Sequence, residues 1–185
     1  SAGTDTRMSD DKIKGASRFV NKLWNAAIFV TGNAPFGGPP RSVTHPVNRW
    51  MLARLNETSA QVTAAFARFA FGDAADFVRN AFWSEFCDFY LEAAKAEELG
   101  GLDETRQLLG HALETYLRLL HPLIPFVTED LWQRTGHEGL LMQQPWPSAD
   151  ARDGDEASAK GVESFIRLVT AIRNCKTHKA LKRNA

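Results

Sequence analysis

Apolar residues recur along nearly the whole chain at intervals of three and four, the spacing of one face of an α-helix. Between Asp10 and Val30, steps of about 100° per residue gather Phe19, Leu23, Ala26, Ala27 and Val30 on one side, flanked by Val20 and Trp24. The far side carries Lys14, Arg18, Lys22, Asn25 and Phe29, at spacings of four, four, three and four. Ser9 before Asp10 and Asp11 reads as an N-cap with acids in the first turn, and Gly32 as the glycine just past the helix end.

The same reading continues downstream. NAPFGGPPRS (Asn33–Ser42) is a loop by composition, and Pro46 opens a second helix through RWMLARL to about Phe69. A third helix is expected from about Asp73 to Leu99, ended by Gly100–Gly101, and a fourth from near Asp103. In LLHPLIPF (Leu119–Phe126) Pro122 and Pro125 force a kink or a stop. TEDLWQRT (Thr128–Thr135) restarts a short helix capped at or near Thr128 and halted by Gly136. GLLMQQPWPSAD is irregular, and a last helix is expected over Glu156–Leu181. There is no strand pair with hairpin turns and no internal repeat. The fold class is therefore all-α, an antiparallel helix bundle over residues 1–150, with a helix in residues 151–185 that completes it or leads onward.

Composition changes this picture little. With 185 residues, 44% hydrophobic and 24% charged, the chain has the composition of an ordinary globular domain. No apolar run approaches the ~20 residues of a membrane helix, and no signal-peptide pattern opens the chain. Cys87 and Cys175 each stand alone in a helical pattern, which argues for reduced thiols and offers no CxxC metal site. Charge is more informative. The formal net charge is zero, yet Lys160–Ala185 holds seven basic residues against Glu163 alone. Taken by itself that run is either a solvated helix face or a contact for nucleic acid.

Candidate chemistry is sparse. Glu85, Asp88 and Glu92 fall close together on one helical face, but none of His45, His111, His121, His137 and His178 has the Glu three residues earlier that di-metal bundles use. The expected role of these acids is a polar face or an ion-pair network with Arg79 or Arg106. There is no GxSxG and no GxxxxGK[ST], so no catalytic residues and no metal site are assigned. The polar stripe of the first helix is the remaining candidate. Lysine and arginine reach phosphates, an asparagine amide matches the donor–acceptor edge of a base, and a phenylalanine ring stacks on an unpaired one. The alternative is that Phe29 touches a neighbouring element while the polar residues are solvated.

The segments RFVNKLWNA, RWMLARLN, FWSEFCDFYLEAAK, LLHPLIPFVTEDLWQ and PWP, in this order and spacing, resemble the anticodon-binding helical domain of valyl-tRNA synthetases. The resemblance runs from near Gly3 to about Asn174. It implies a class I ligase that joins valine to its tRNA with ATP and Mg, in a cytoplasmic setting. It also implies separate catalytic and editing domains, the parts that would carry HIGH-like and KMSKS-like motifs. HPVN (His45–Asn48) has no HIGH-like context, so the chain is expected to be a non-catalytic fragment, without cofactor, whose partners are a valine tRNA and those other domains. By matching positions the resemblance assigns Lys22, Asn25 and Phe29 to the anticodon, whose second and third bases are A and C in valine tRNAs, with Phe29 as the stacking platform. Arg18 is assigned as a phosphate contact. Phe82, Phe86, Tyr90, Trp132 and Trp146 are expected to pack helices. Two positions depart from the pattern: Ile28 stands where many members have Arg, and Cys175–Lys176–Thr177–His178 replaces a stretch with an acid. Related isoleucyl and leucyl enzymes share the bundle, and a helical protein-interaction module without RNA remains a third possibility.

Overall fold

The computed structural model describes residues 9–148, together with Val162. The expected last helix, the 151–185 unit, the basic run and Cys175 all lie outside these residues except at Val162, which packs against the core. Among the described residues every regular element is helical. The bundle consists of α1 (Asp10–Asn33), α2 (Pro46–Ala67), α3 (residues 71–93), α4 (Glu97–Gly100), α5 (Asp103–Leu120) and α6 (Pro125–Arg134), followed by one 3-10 turn at Leu141–Gln143.

The N-terminal signals work as expected. Ser9 accepts from the Lys12 N–H at 3.4 Å, and Pro46 occupies the first turn of α2, where its missing N–H costs nothing. His45 caps that helix by accepting from the Val47 N–H at 3.3 Å. The apolar stripe of α1 is the one the spacing gives: Phe19, Leu23, Ala26, Ala27 and Val30 are all buried. It packs on α5, on α6 and on the middle of α3.

Three helix ends differ from expectation. Gly32 lies inside α1, because the Asn33 side chain donates to the Phe29 carbonyl at 2.7 Å and carries the helix on to Asn33. Thr128 is not a cap. Pro125 starts α6 instead, and the Thr128 hydroxyl donates back to the Ile124 carbonyl at 3.0 Å, which leaves LLHPLIPF as a stop and restart rather than a kink. The third helix ends at Ala93 and not at Leu99. The Cα of Gly100 sits so close to the Ala94 carbonyl that a Cβ there would lie 2.1 Å from its oxygen, so the chain turns back before Glu97.

The centre of α3 holds the least anticipated feature. Ala81–Tyr90 is wound as a π-helix, with the Leu91 N–H reaching back five residues to the Phe86 carbonyl. The wider turn aims Phe82, Phe86 and Tyr90 into the core, where Phe82 and Phe86 meet Tyr116 of α5 at ring separations of 5.4 and 5.3 Å. It also splits the acids, since residues three apart share a face on an α-helix but not on this wider coil. Glu85 pairs with Arg54 of α2 at 2.8 Å, and Asp88 pairs with Lys22 of α1 at 2.7 Å. The expected partners Arg79 and Arg106 pair within their own helices, with Asp76 and Asp103. The single acidic face is therefore corrected to three separate ion pairs, the third joining Glu92 to Lys95. Trp132 is buried as expected, whereas Trp146 is half-exposed and braces α2 by donating to the Thr63 hydroxyl at 2.7 Å.

The loop between α1 and α2 is fixed at both ends. Gly110 on α5 lets the Pro35 carbonyl approach to where a Cβ would lie only 2.0 Å away. Glu104 accepts from the Thr44 N–H, the Thr44 hydroxyl, the His45 N–H and the Asn48 amide at 2.8–3.0 Å. Asn48 is fully buried; it also donates to the Thr105 hydroxyl at 2.8 Å and accepts from the Tyr90 hydroxyl at 2.7 Å. These hydrogen bonds hold the Glu104 carboxyl below its ordinary pKa against the opposing effect of burial.

Candidate nucleic-acid interface

A groove of about 270 Å³ opens between α1 and the end of α3, lined by Lys22, Asn25, Ala26, Phe29, Cys87, Leu91, Glu92 and Lys95. Three of the four site residues expected from the sequence, Lys22, Asn25 and Phe29, meet there. They do so because spacings of three and four place them on one stripe of α1 beside its buried face. Arg18 lies one turn before Lys22, exposed, and outside the groove.

Each residue has a distinct environment. The Asn25 amide is exposed. The Lys22 ammonium is tied to Asp88 at 2.7 Å and lies 5.7 Å from the centre of the Trp83 ring. Burial pulls its pKa down, but the hydrogen bond and charge of Asp88 outweigh that and raise it. Lys22 is thus a partly exposed cation with one partner already engaged.

Phe29 is not a bare ring on a solvated stripe. It is half-buried, packed against the core cluster, and its ring has the Lys95 ammonium 5.7 Å from its centre. The exposed apolar residue of this stretch is its neighbour Ile28, at 62%. The helical wheel puts Phe29 on the polar side correctly. It cannot show that the end of α3 rises beside that side and covers one edge of the ring. Cys87 closes the floor; burial pushes its thiol up to about 12, so it stays protonated and acts as a small apolar residue.

Glu92 and Lys95 are the lining residues that reasoning from α1 missed. They pair with each other at 2.7 Å, and both are about half-exposed. The four-residue spacing of Asp88 and Glu92 in CDFYLE was visible, but not the contact across to α1, which depends on how α1 and α3 dock. No group of three or more His, Cys, Asp or Glu side chains among the described residues is arranged to hold a metal ion. None of their helices is long and apolar enough to cross a membrane.

A second concavity, of about 410 Å³, lies at the start of α6, between His121, Pro125, Phe126, Glu129, Asp130, Leu140 and Met142. Its surface is apolar, with Phe126 91% and Met142 71% exposed, and its charged members are acids. Such a lining repels phosphate, so the α1–α3 groove is the better nucleic-acid site.

Comparison with known proteins bears on the family of the chain. The family model described as the anticodon-binding domain of tRNA ligase matches residues 48–185. The valine--tRNA ligase of Enterococcus faecalis is 40% identical over 186 residues, covering 93% of this chain and 21% of the relative. That of Carboxydothermus hydrogenoformans is 38% identical over 179 residues, covering 92% and 20%. The chain thus spans about a fifth of the length of the curated relatives it matches. Among solved structures, the LeuRS of Agrobacterium radiobacter in a ternary complex with tRNA and LeuAMS superposes with a TM-score of 0.60 at 21% identity, over 80% of this chain and 18% of that one. At that identity the likeness concerns the fold.

Proposed function

The chain belongs to the anticodon-binding domain family of tRNA ligases, and on that premise we propose that it holds the unpaired anticodon bases of a valine tRNA in the α1–α3 groove. The observation that carries this is the convergence of Lys22, Asn25 and Phe29 on one groove of a size to take a base. In this reading Phe29 offers its ring as a stacking platform. Asn25 hydrogen-bonds a base edge, Lys22 contacts the edge or the backbone, and Arg18 meets a flanking phosphate from outside. Identity of 35–40% to valine--tRNA ligases favours valine over the isoleucine and leucine alternatives.

The larger ligase of which this chain is the recognition part joins valine to that tRNA at the expense of ATP, and works in the cytoplasm. ATP, its magnesium ion, and editing belong to the other domains of that enzyme. Among the described residues no group of three or more His, Cys, Asp or Glu side chains is arranged for the magnesium ion, and no step of the ligation is assigned to them.

The test is binding of the chain to a valine-tRNA anticodon stem-loop. Affinity is expected to fall as salt rises, and to fall when the second and third anticodon bases are exchanged for those of an isoleucine or leucine tRNA. Phe29→Ala is expected to lose about 1–3 kcal/mol, the scale of base–aromatic stacking. A folded Phe29→Ala that binds the loop as well as the parent does removes the stacking role.

A further inference from the structure

Among the described residues eight large apolar side chains are exposed, and all but Ile28 gather at one end of the bundle. The helix directions place them there. Phe19–Phe82 and Lys22–Asp88 make α1 run with α3, whereas Asn48–Tyr90 and Arg54–Glu85 make α2 run against it. Phe82–Tyr116 and Asn48–Thr105 set α5 alongside α2. The first turn of α1, the α2–α3 turn and the start of α6 therefore share an end. Phe29 of the groove lies sixteen residues along α1 from the exposed Ile13, about 24 Å at 1.5 Å per residue.

Phe69 is the unusual member of this end. It closes α2 in the left-handed conformation, at φ 59°, with its N–H on the Phe66 carbonyl at 3.0 Å and the Ala70 N–H on the Ala65 carbonyl at 2.9 Å. Glycine or asparagine takes that position at least cost, and a bulky side chain there is an outlier. The fold gains little in return. The Phe69 ring is 74% exposed and meets Phe71 edge-on at 6.2 Å between centres. A row of rings continues from it across the surface, Phe71 to Phe66 at 5.8 Å and Phe66 to Trp146 at 5.7 Å. The concavity around Phe126 and Met142 opens at the same end.

We propose that this end is a docking face for an apolar protein surface in the part of the same ligase that lies outside these 185 residues, with Phe69 as its projecting anchor. The inference rests on the chain being one part of a larger ligase, and not on what the groove holds. Three observations select that occupant. The chain covers only 21% of the length of a relative that matches 93% of it, so a much larger protein surface would be tethered beside this end. A tethered surface docks at high effective concentration and needs little affinity of its own. Contiguous exposed apolar surface marks an interaction site, and Glu129 and Asp130 on the concavity disfavour RNA or an anionic membrane as its cover. The face also stands at the far end from the groove, so an occupant leaves the groove open.

The experiment is hydroxyl-radical footprinting of the 185-residue chain and of the whole ligase, read by mass spectrometry. Phe69, Phe126 and Met142 are expected to oxidise several-fold more slowly in the whole ligase, with Ile28 unchanged. Equal rates at Phe69 in the two proteins overturn the proposal. Protection that is already present in the 185-residue chain and rises with its concentration assigns the face to a second copy, and overturns it too. Phe69→Gly suits the left-handed position, so in the 185-residue chain it is expected to melt no lower than the parent. In the whole ligase the same change is expected to raise oxidation of Phe126 and Met142 toward the rate in the shorter chain. A Phe69→Gly chain that melts several degrees lower gives the ring a structural role and removes the anchor. Stem-loop binding by the 185-residue proteins reads the groove separately: its failure, with the protection retained, sinks the groove reading and leaves this one standing.

Discussion

Asp88 and Tyr90 stand two residues apart on the π-wound stretch of α3, yet one closes an ion pair open to solvent and the other donates into a sealed network. On the sealed side, Tyr90, Asn48, Thr105 and Glu104 leave few polar groups without a partner, and they fasten α2, α3 and α5 together with the loop before α2. On the open side, Lys22–Asp88 and Glu92–Lys95 each pair one cation with one anion, and the side chains remain 34–50% exposed. A closed network rigidifies and offers nothing to a ligand. A loosely paired one exchanges partners at little cost. On the proposed reading the same helix serves structure on one side and recognition on the other, and mutations on the two sides are expected to separate stability from binding.

The largest effect is expected on the sealed side. Asn48→Ala leaves Tyr90 and Thr105 with unmet hydrogen bonds in the core, a loss of about 1–3 kcal/mol. Thermal unfolding should show this as a fall of several degrees, at about 2–4 °C per kcal/mol for a chain of this length. Stem-loop affinity measured below the transition should be little changed. Phe29→Ala is the converse, with the binding loss given above and a smaller change in melting temperature.

Acid and base should act on opposite sides of α3. Glu104 has a folded-state pKa below the ordinary 4.5. The folded protein therefore resists its protonation, and the stability this contributes is present above pH 4.5 and lost as pH falls through the folded value. Lys22 has its pKa raised above 10.5. Its contribution is present below that pH and is lost as pH rises through the folded value. Urea titrations across pH should show Glu104→Gln flattening the acid limb and Lys22→Met flattening only the alkaline one; the opposite assignment would break the comparison. The smallest effect is expected from Ile28→Arg, beside the groove at a 62% exposed position. One added phosphate contact should steepen the salt dependence of stem-loop binding by about 0.7 in log–log slope, without moving the melting temperature.

Local signals were read well from the chain. Ser9, Pro46 and the buried stripe of α1 follow from capping chemistry and a 3.6-residue period, which involve only near neighbours in sequence. The convergence of Lys22, Asn25 and Phe29 was legible for the same reason. The π winding of Ala81–Tyr90 was not, because no residue type there demands it; it goes with the packing of Phe82 and Phe86 against Tyr116. Glu92 and Lys95 were missed as groove residues because their placement beside Phe29 depends on contacts more than sixty positions apart. The half-burial of Phe29 matches the alternative reading, contact with a neighbouring element, but which element covers it was hidden for the same cause. Gly100 was correctly read as a breaker, but what it relieves is a close approach to Ala94, not the end of a continuous helix.

That close approach has a kinetic consequence. The Gly100 backbone lies against the Ala94 carbonyl and its N–H is bonded to the Ala96 carbonyl at 2.8 Å, contacts that tie down the turn carrying Lys95. Uncovering Phe29 is then left to rotation about the Lys95 side-chain bonds, which takes picoseconds to nanoseconds in exposed residues, whereas a loop or lid opens in microseconds or longer. On the proposed reading, a site covered in this way is open many times during a single encounter with RNA, with no slow opening step to wait for.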